Sequence, residues 1–239
     1  MEEKMFRQKI QLILDPYFDR EFFTNLIYLI DRKKNLREVF EASVRELNTT
    51  EKWTSELDQS FLHFLHSFQV SSLVRENYQW LPMANALYAV ALSRGDGQKP
   101  VRVAEVPPIV SQAATPHEFE ALIRKDVRAV ESKANAWGAL LFLLENRTTR
   151  AKAISAWIKQ ALVSSDILTF ELVVSSLEVA LASGWKSNGV VLKRAFDRYW
   201  TGDSVSEIAT QGIRLAYGMT VPFKTGGVEA WKPQYSEEL

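Results

Sequence analysis

His63 and His66 are the pair in this chain best spaced for chemistry. Three residues apart on a helix, two imidazoles share a side and can both reach one metal ion. A stable site needs further ligands. His117 is the one other histidine, so carboxylates would have to complete the set. Glu56 and Asp58 are close in sequence, but neither stands at a spacing from both histidines that closes a compact site. No Glu-x-x-His pair occurs, which removes the di-metal carboxylate pattern of helical bundles. The histidines therefore read as surface or boundary residues, and no metal is expected.

Other reactive constellations fail for equally local reasons. The chain has no cysteine, which removes thiolate catalysis, disulfides, cysteine zinc sites and iron–sulfur ligation together. There is no Gly-x-Ser-x-Gly elbow for a hydrolytic serine. Gly95 and Gly97 do not lead into the Lys-Ser/Thr ending of a phosphate-binding loop. No catalytic residue is named on these grounds, no cofactor is expected, and an enzyme is the less favoured class.

Binding chemistry is easier to place than catalysis. Arg147, Arg150, Lys152 and Lys159 lie close together, with Lys186, Lys193, Arg194 and Arg198 two helices later. Helix ends brought together could make these a phosphate-binding patch with salt-sensitive affinity. Glu145 and Asp197 are near enough to balance them, and the whole chain carries 29 acidic and 29 basic residues. A formal charge of zero gives no general pull toward nucleic acid or an anionic membrane. Trp185, Tyr199 and Trp200 each fall at or near a helix end, where large aromatics often stay partly exposed. Aromatics and arginine are enriched in binding hot spots. The candidate partner-binding residues are thus Arg150, Lys152, Trp185, Arg194, Tyr199 and Trp200.

The elements that must position these residues are helices. From Thr148 or Thr149, either of which can cap, Ile154, Trp157, Ile158, Ala161 and Leu162 recur at spacings of three and four. Ser164-Ser165-Asp166 then opens a segment carrying Ile167, Phe170, Val174, Leu177 and Leu181, widened by Leu172, Val173 and Val179. A helix apolar around that much of its girth is expected to be buried on several sides. Asp166, Glu171 and Glu178 argue against a membrane span there. Gly184 suits the left-handed position that ends many helices. A third segment, about 187–200, carries Val191, Leu192, Ala195, Phe196 and Tyr199 on its apolar side.

Upstream, helices are expected around Phe6–Leu14, from Asp19 with Phe22, Phe23, Leu26, Ile27 and Ile30 inward, and from Asn35 to Leu47. Asn48-Thr49-Thr50-Glu51 resembles a capping box for the next, which carries Leu57, Phe61, Phe64, Leu65 and Phe68. Pro82 suits the first position of another. Thr115-Pro116-His117-Glu118 is the strongest start signal, with a cap, a first-turn proline and the reciprocal glutamate. Ser204-Val205-Ser206-Glu207 is a second such box. Helix starts in the second half are spaced by about seventeen residues, so helix pairs fall in the range of hairpin repeats. No tetratricopeptide or ankyrin consensus accompanies that spacing.

The expected fold is all-α: a multi-helix bundle or helical-hairpin array of about ten helices, divisible into two lobes. Residues 1–93 would form an N-terminal helical lobe, 94–114 a long loop or linker, 115–218 a C-terminal helical lobe and 219–239 an irregular tail. The N-terminus carries early acidic residues and no apolar run of signal-peptide length, so the default location is cytoplasmic. No transmembrane segment is expected. The leading expectation for function is a noncatalytic protein-interaction or scaffold protein, with another protein or a second copy as partner. A nucleic-acid-binding helical protein, or an enzyme or carrier with an apolar pocket, is the alternative.

Overall fold

The computed structural model describes residues 2–15, 19–32, 35–50, 53–75, 78–94, 115–124, 132–185 and 188–201. In chain order the helices are α1 (Glu2–Ile13), α2 (Asp19–Asp31), α3 (Leu36–Leu47), α4 (Ser55–Ser71), α5 (Trp80–Ser93) and α6 (Pro116–Ile123). They continue with α7 (Lys133–Glu145), α8 (Arg147–Ser164), α9 (Ile167–Ala182), α10 (Asn188–Val191) and α11 (Lys193–Thr201). Among the described residues there is no strand, and the architecture is an all-α multi-helix bundle.

Side-chain caps fix many of the starts. Asn35 accepts from the Arg37 N–H, Thr54 from Leu57, Asn146 from Thr148 and Asp166 from Thr169. Thr115 and Glu118 close the reciprocal box expected of them. Three starts differ from expectation. The helix after α3 begins at Ser55, because Asn48 is the C-cap of α3 and its amide donates to the Val190 carbonyl at 2.9 Å. Asn146, not Thr148 or Thr149, caps α8. Pro82 is the third residue of α5 instead of the first, still within the turn whose N–H groups have no helical partner.

The segment expected at 187–200 is broken in two. An unbroken helix would give the Val190 carbonyl to the Arg194 N–H, and Asn48 sits on that carbonyl instead. Leu192, at the break, is buried.

Packing centres on α9. It lies against α4, α8, α10 and α11, and Phe170, Leu172, Val173, Leu177, Val179 and Ala180 are buried along it. Its two ends are open, with Ile167 and Leu181 exposed. Helix α5 packs most closely on α4, and α1 packs on α2 and α3. Buried side chains from Ile10 in α1 to Trp200 in α11 belong to one hydrophobic cluster. The contacts of α3 and α4 with α9 and α10 cross the expected division at 94–114. Residues 95–114, the helix expected after Ser204 and the tail 219–239 lie outside the described residues. No helix among the described residues is long and apolar enough to cross a membrane.

Candidate functional site

The candidate residues separate into two environments. Arg194 is drawn inward by Asp58, a carboxylate that α4 carries on its apolar side and that is 0% exposed. Arg194 donates to Asp58 through Nε at 2.6 Å and Nη2 at 2.7 Å, the two-pronged geometry of a guanidinium on a carboxylate. Its planar face lies over the Trp53 ring, 4.4 Å from the centroid. Arg198, one turn on, donates to the same Asp58 carboxylate, to Thr169 Oγ1 at 2.9 Å and to Asp166 Oδ2 at 3.1 Å. Two cations meet two carboxylates, so the network is neutral and ties α4, α9 and α11 together.

Sequence reading missed Asp58 as a structural residue. The signal was available: Asp58 shares a helix face with Phe61, Leu62 and Leu65, all buried. A carboxylate in register with core residues requires a counter-charge.

Tyr199 and Trp200 are buried, contrary to the exposure expected of helix-end aromatics. The end of α11 is itself covered. Tyr199 donates its hydroxyl to the Ile123 carbonyl at 2.5 Å, and Trp200 stacks on Phe196 at 5.6 Å. Phe196 in turn meets Trp137 and Trp157. Trp157, Phe196, Tyr199 and Trp200 belong to the core, and partly buried Trp137 packs against it.

Arg150 and Trp185 do come together, with the guanidinium 4.9 Å from the Trp185 ring centroid. Arg150 also donates to the Leu144 carbonyl at 2.6 Å and the Glu145 carbonyl at 3.2 Å, capping the end of α7. Trp185 is delivered by the way α9 stops. The Gly184 N–H bonds to the Leu181 carbonyl and the Trp185 N–H to the Ala180 carbonyl, the paired bonds of a Schellman ending. Gly184 at φ +65° is at ease there; Trp185 at φ +64° carries the cost of a side chain in left-handed backbone. Lys152 is exposed and lines a shallow groove of about 370 Å³ with Lys159, Ser155 and Glu120 between α6 and α8. The basic residues of 147–198 therefore do not share one surface: Lys193 pairs with Asp197, Arg194 and Arg198 with Asp58, and Arg150 with carbonyls. Lys186 lies outside the described residues.

A different surface stands out on the opposite half of the chain. Phe23 and Ile27, expected inward, point outward and are 59% and 54% exposed. Helix α2 is apolar on several sides, and Phe22, Leu26 and Leu29 take the inner one. Phe23 stacks on Tyr88 of α5 at 6.3 Å, which joins the two helices into one face. Along α5, Leu81 and Leu92 are 64% and 56% exposed, and Asn85 is exposed between them. No charged residue occurs from Trp80 to Ser93. Arg94, which follows, is turned inward: its Nη1 reaches the Leu14 carbonyl at 3.4 Å and its Nη2 lies 3.8 Å from Glu46. Burial pushes the Arg94 guanidinium below its usual range, opposed by the Glu46 and Asp15 charges.

The histidines have modest surroundings. His66 shares a 2.8 Å hydrogen bond with the Ser175 hydroxyl, linking α4 to α9. Among the described residues, no three histidine or acidic side chains gather as metal ligands would. No family model, curated protein or solved structure matches the chain.

Proposed function

We propose that this chain is a noncatalytic protein-interaction or scaffold protein, and that its docking surface is the face formed by α2 and α5. The observation that carries this reading is an uncharged helix, Trp80–Ser93, with Leu81 and Leu92 open to water and joined through Tyr88 to Phe23 of α2, where Ile27 is also exposed. Four such side chains expose apolar surface on the order of 500 Å², at the upper end of what a monomer leaves bare. A nucleic-acid reading draws less support, since Arg194 and Arg198 are neutralised internally and Lys152 and Lys159 face Glu120 across their groove.

A photo-crosslinking amino acid placed at Leu81 in the full chain, in its native cell, tests the reading. The expected result is an adduct of defined mass at Leu81, absent when the same group replaces exposed Glu145. Equal labelling from both positions, or none from Leu81, overturns it.

A further inference from the structure

We infer that the α2–α5 face pairs with a second copy of this chain, with α5 against α5 in antiparallel order. This rests on the reading of that face as a docking surface. Four residues define the outward ridge of α5: Leu81, Asn85 and Leu92, all exposed, and Tyr88, which is half-buried. Their spacings are four, three and four, so at 100° per residue they stay within one narrow stripe. That is the alternation of a two-helix seam.

The seam is also self-complementary about its own centre. Leu81 and Leu92 are equidistant from the point between Ala86 and Leu87, and so are Asn85 and Tyr88. A two-fold axis through that point sets Leu81 beside Leu92 of the second copy and Asn85 beside Tyr88 of the second copy. Isologous interfaces require this relation, in which residue i meets j and j meets i. Ala84 and Ala89 form a third symmetric pair, and their small side chains let the helices approach. Charge agrees with the pairing. Two copies of a charged ridge would repel, whereas α5 carries no charge and Arg94 at its end is held inward. Phe23, stacked on Tyr88, flanks the ridge and widens the contact. Two such faces would bury on the order of 1,000 Å², the lower bound for a specific interface.

The absence of cysteine makes the test direct. Leu81 and Leu92 are eleven residues apart, about 16 Å along one helix, beyond disulfide reach within a chain. Under mild oxidation the double variant Leu81→Cys/Leu92→Cys should give covalent dimers, and a mixture of the two single variants should give the mixed dimer. Either single variant alone should give little. Sedimentation should show concentration-dependent dimers for the unaltered chain. Leu92→Asp should weaken association about a hundredfold, because the change enters the interface twice, with its melting temperature unchanged at a dilution where both chains are monomeric.

A chain monomeric at every concentration overturns the inference. So does Leu81→Cys alone crosslinking as well as the double variant, which would mean parallel helices, or Leu92→Asp associating normally. If the chain is monomeric while the Leu81 photo-adduct has the mass of a different protein, self-pairing fails and the docking reading stands. If Leu81 also gives no adduct, both fail.

Discussion

Replacing Asp58 with alanine should be among the most damaging single changes in this protein. The carboxylate is fully buried and accepts three charge-assisted bonds, two from Arg194 and one from Arg198. Each such bond has a net worth of roughly 1.5–3 kcal/mol. The loss is tempered because Arg194 and Arg198 keep 12% and 18% exposure, and because Arg198 retains Asp166 and Thr169. The expected cost is about 3–5 kcal/mol, as found when one partner of a buried ion pair is removed. For a chain of this size that corresponds to a fall in melting temperature of about 10 °C. Urea unfolding followed by circular dichroism gives the difference directly. The penalty belongs to the orphaned cations, so Asp58→Leu combined with Arg194→Met and Arg198→Met should recover much of it. An Asp58→Ala loss below about 1 kcal/mol would refute the reasoning, since it would mean the arginines are solvated without Asp58.

Tyr199→Phe should cost about 1–2 kcal/mol in the same unfolding experiment, because it removes the buried hydrogen bond to the Ile123 carbonyl while keeping the ring in place. Trp157→Ala should cost about 3–5 kcal/mol, since the indole is fully buried against Phe196 and Tyr199. Thr115→Ala should destabilise α6 by about 1 kcal/mol through loss of its cap, visible as faster amide exchange over 116–123. Acid should act on the same helix. Hydrogen bonds from the Thr115 backbone and side chain hold the Glu118 carboxyl below the usual glutamate range. Its contribution is therefore present above about pH 4.3 and is lost as pH falls through the lower folded value. Glu118→Gln should keep the box and remove that acid step, again read by exchange over 116–123.

Helix starts were legible where the signal is local. Thr115 with Glu118, Asn35, Asp166 and Gly184 all act as their residue types suggest, because each acts on backbone within a few positions. Asn48 misled because its side chain answers to Val190, 142 positions away, and no local pattern reveals that demand. The same limit governs faces. An apolar residue at the right spacing belongs to some face, but Phe23 and Phe22 are adjacent, and which of them turns inward depends on where α1 and α5 lie. Tyr199 and Trp200 show the converse, since a helix end is exposed only if no other helix covers it. Of the candidate residues, Lys152 is exposed and Arg150 and Trp185 are half-buried, while the exposure of Leu81 and Leu92 follows from α4 claiming the other side of α5.

Asp58 also has a place in time. Arg194 and Arg198 stand 136 and 140 positions after it, so a ribosome makes the carboxylate long before its counter-charges. At cellular synthesis rates the interval is on the order of ten seconds. Without those counter-charges, burying the face of α4 that holds Asp58 would cost the desolvation of an unpaired carboxylate. A chain cut short before Arg194 should therefore keep that face open to water.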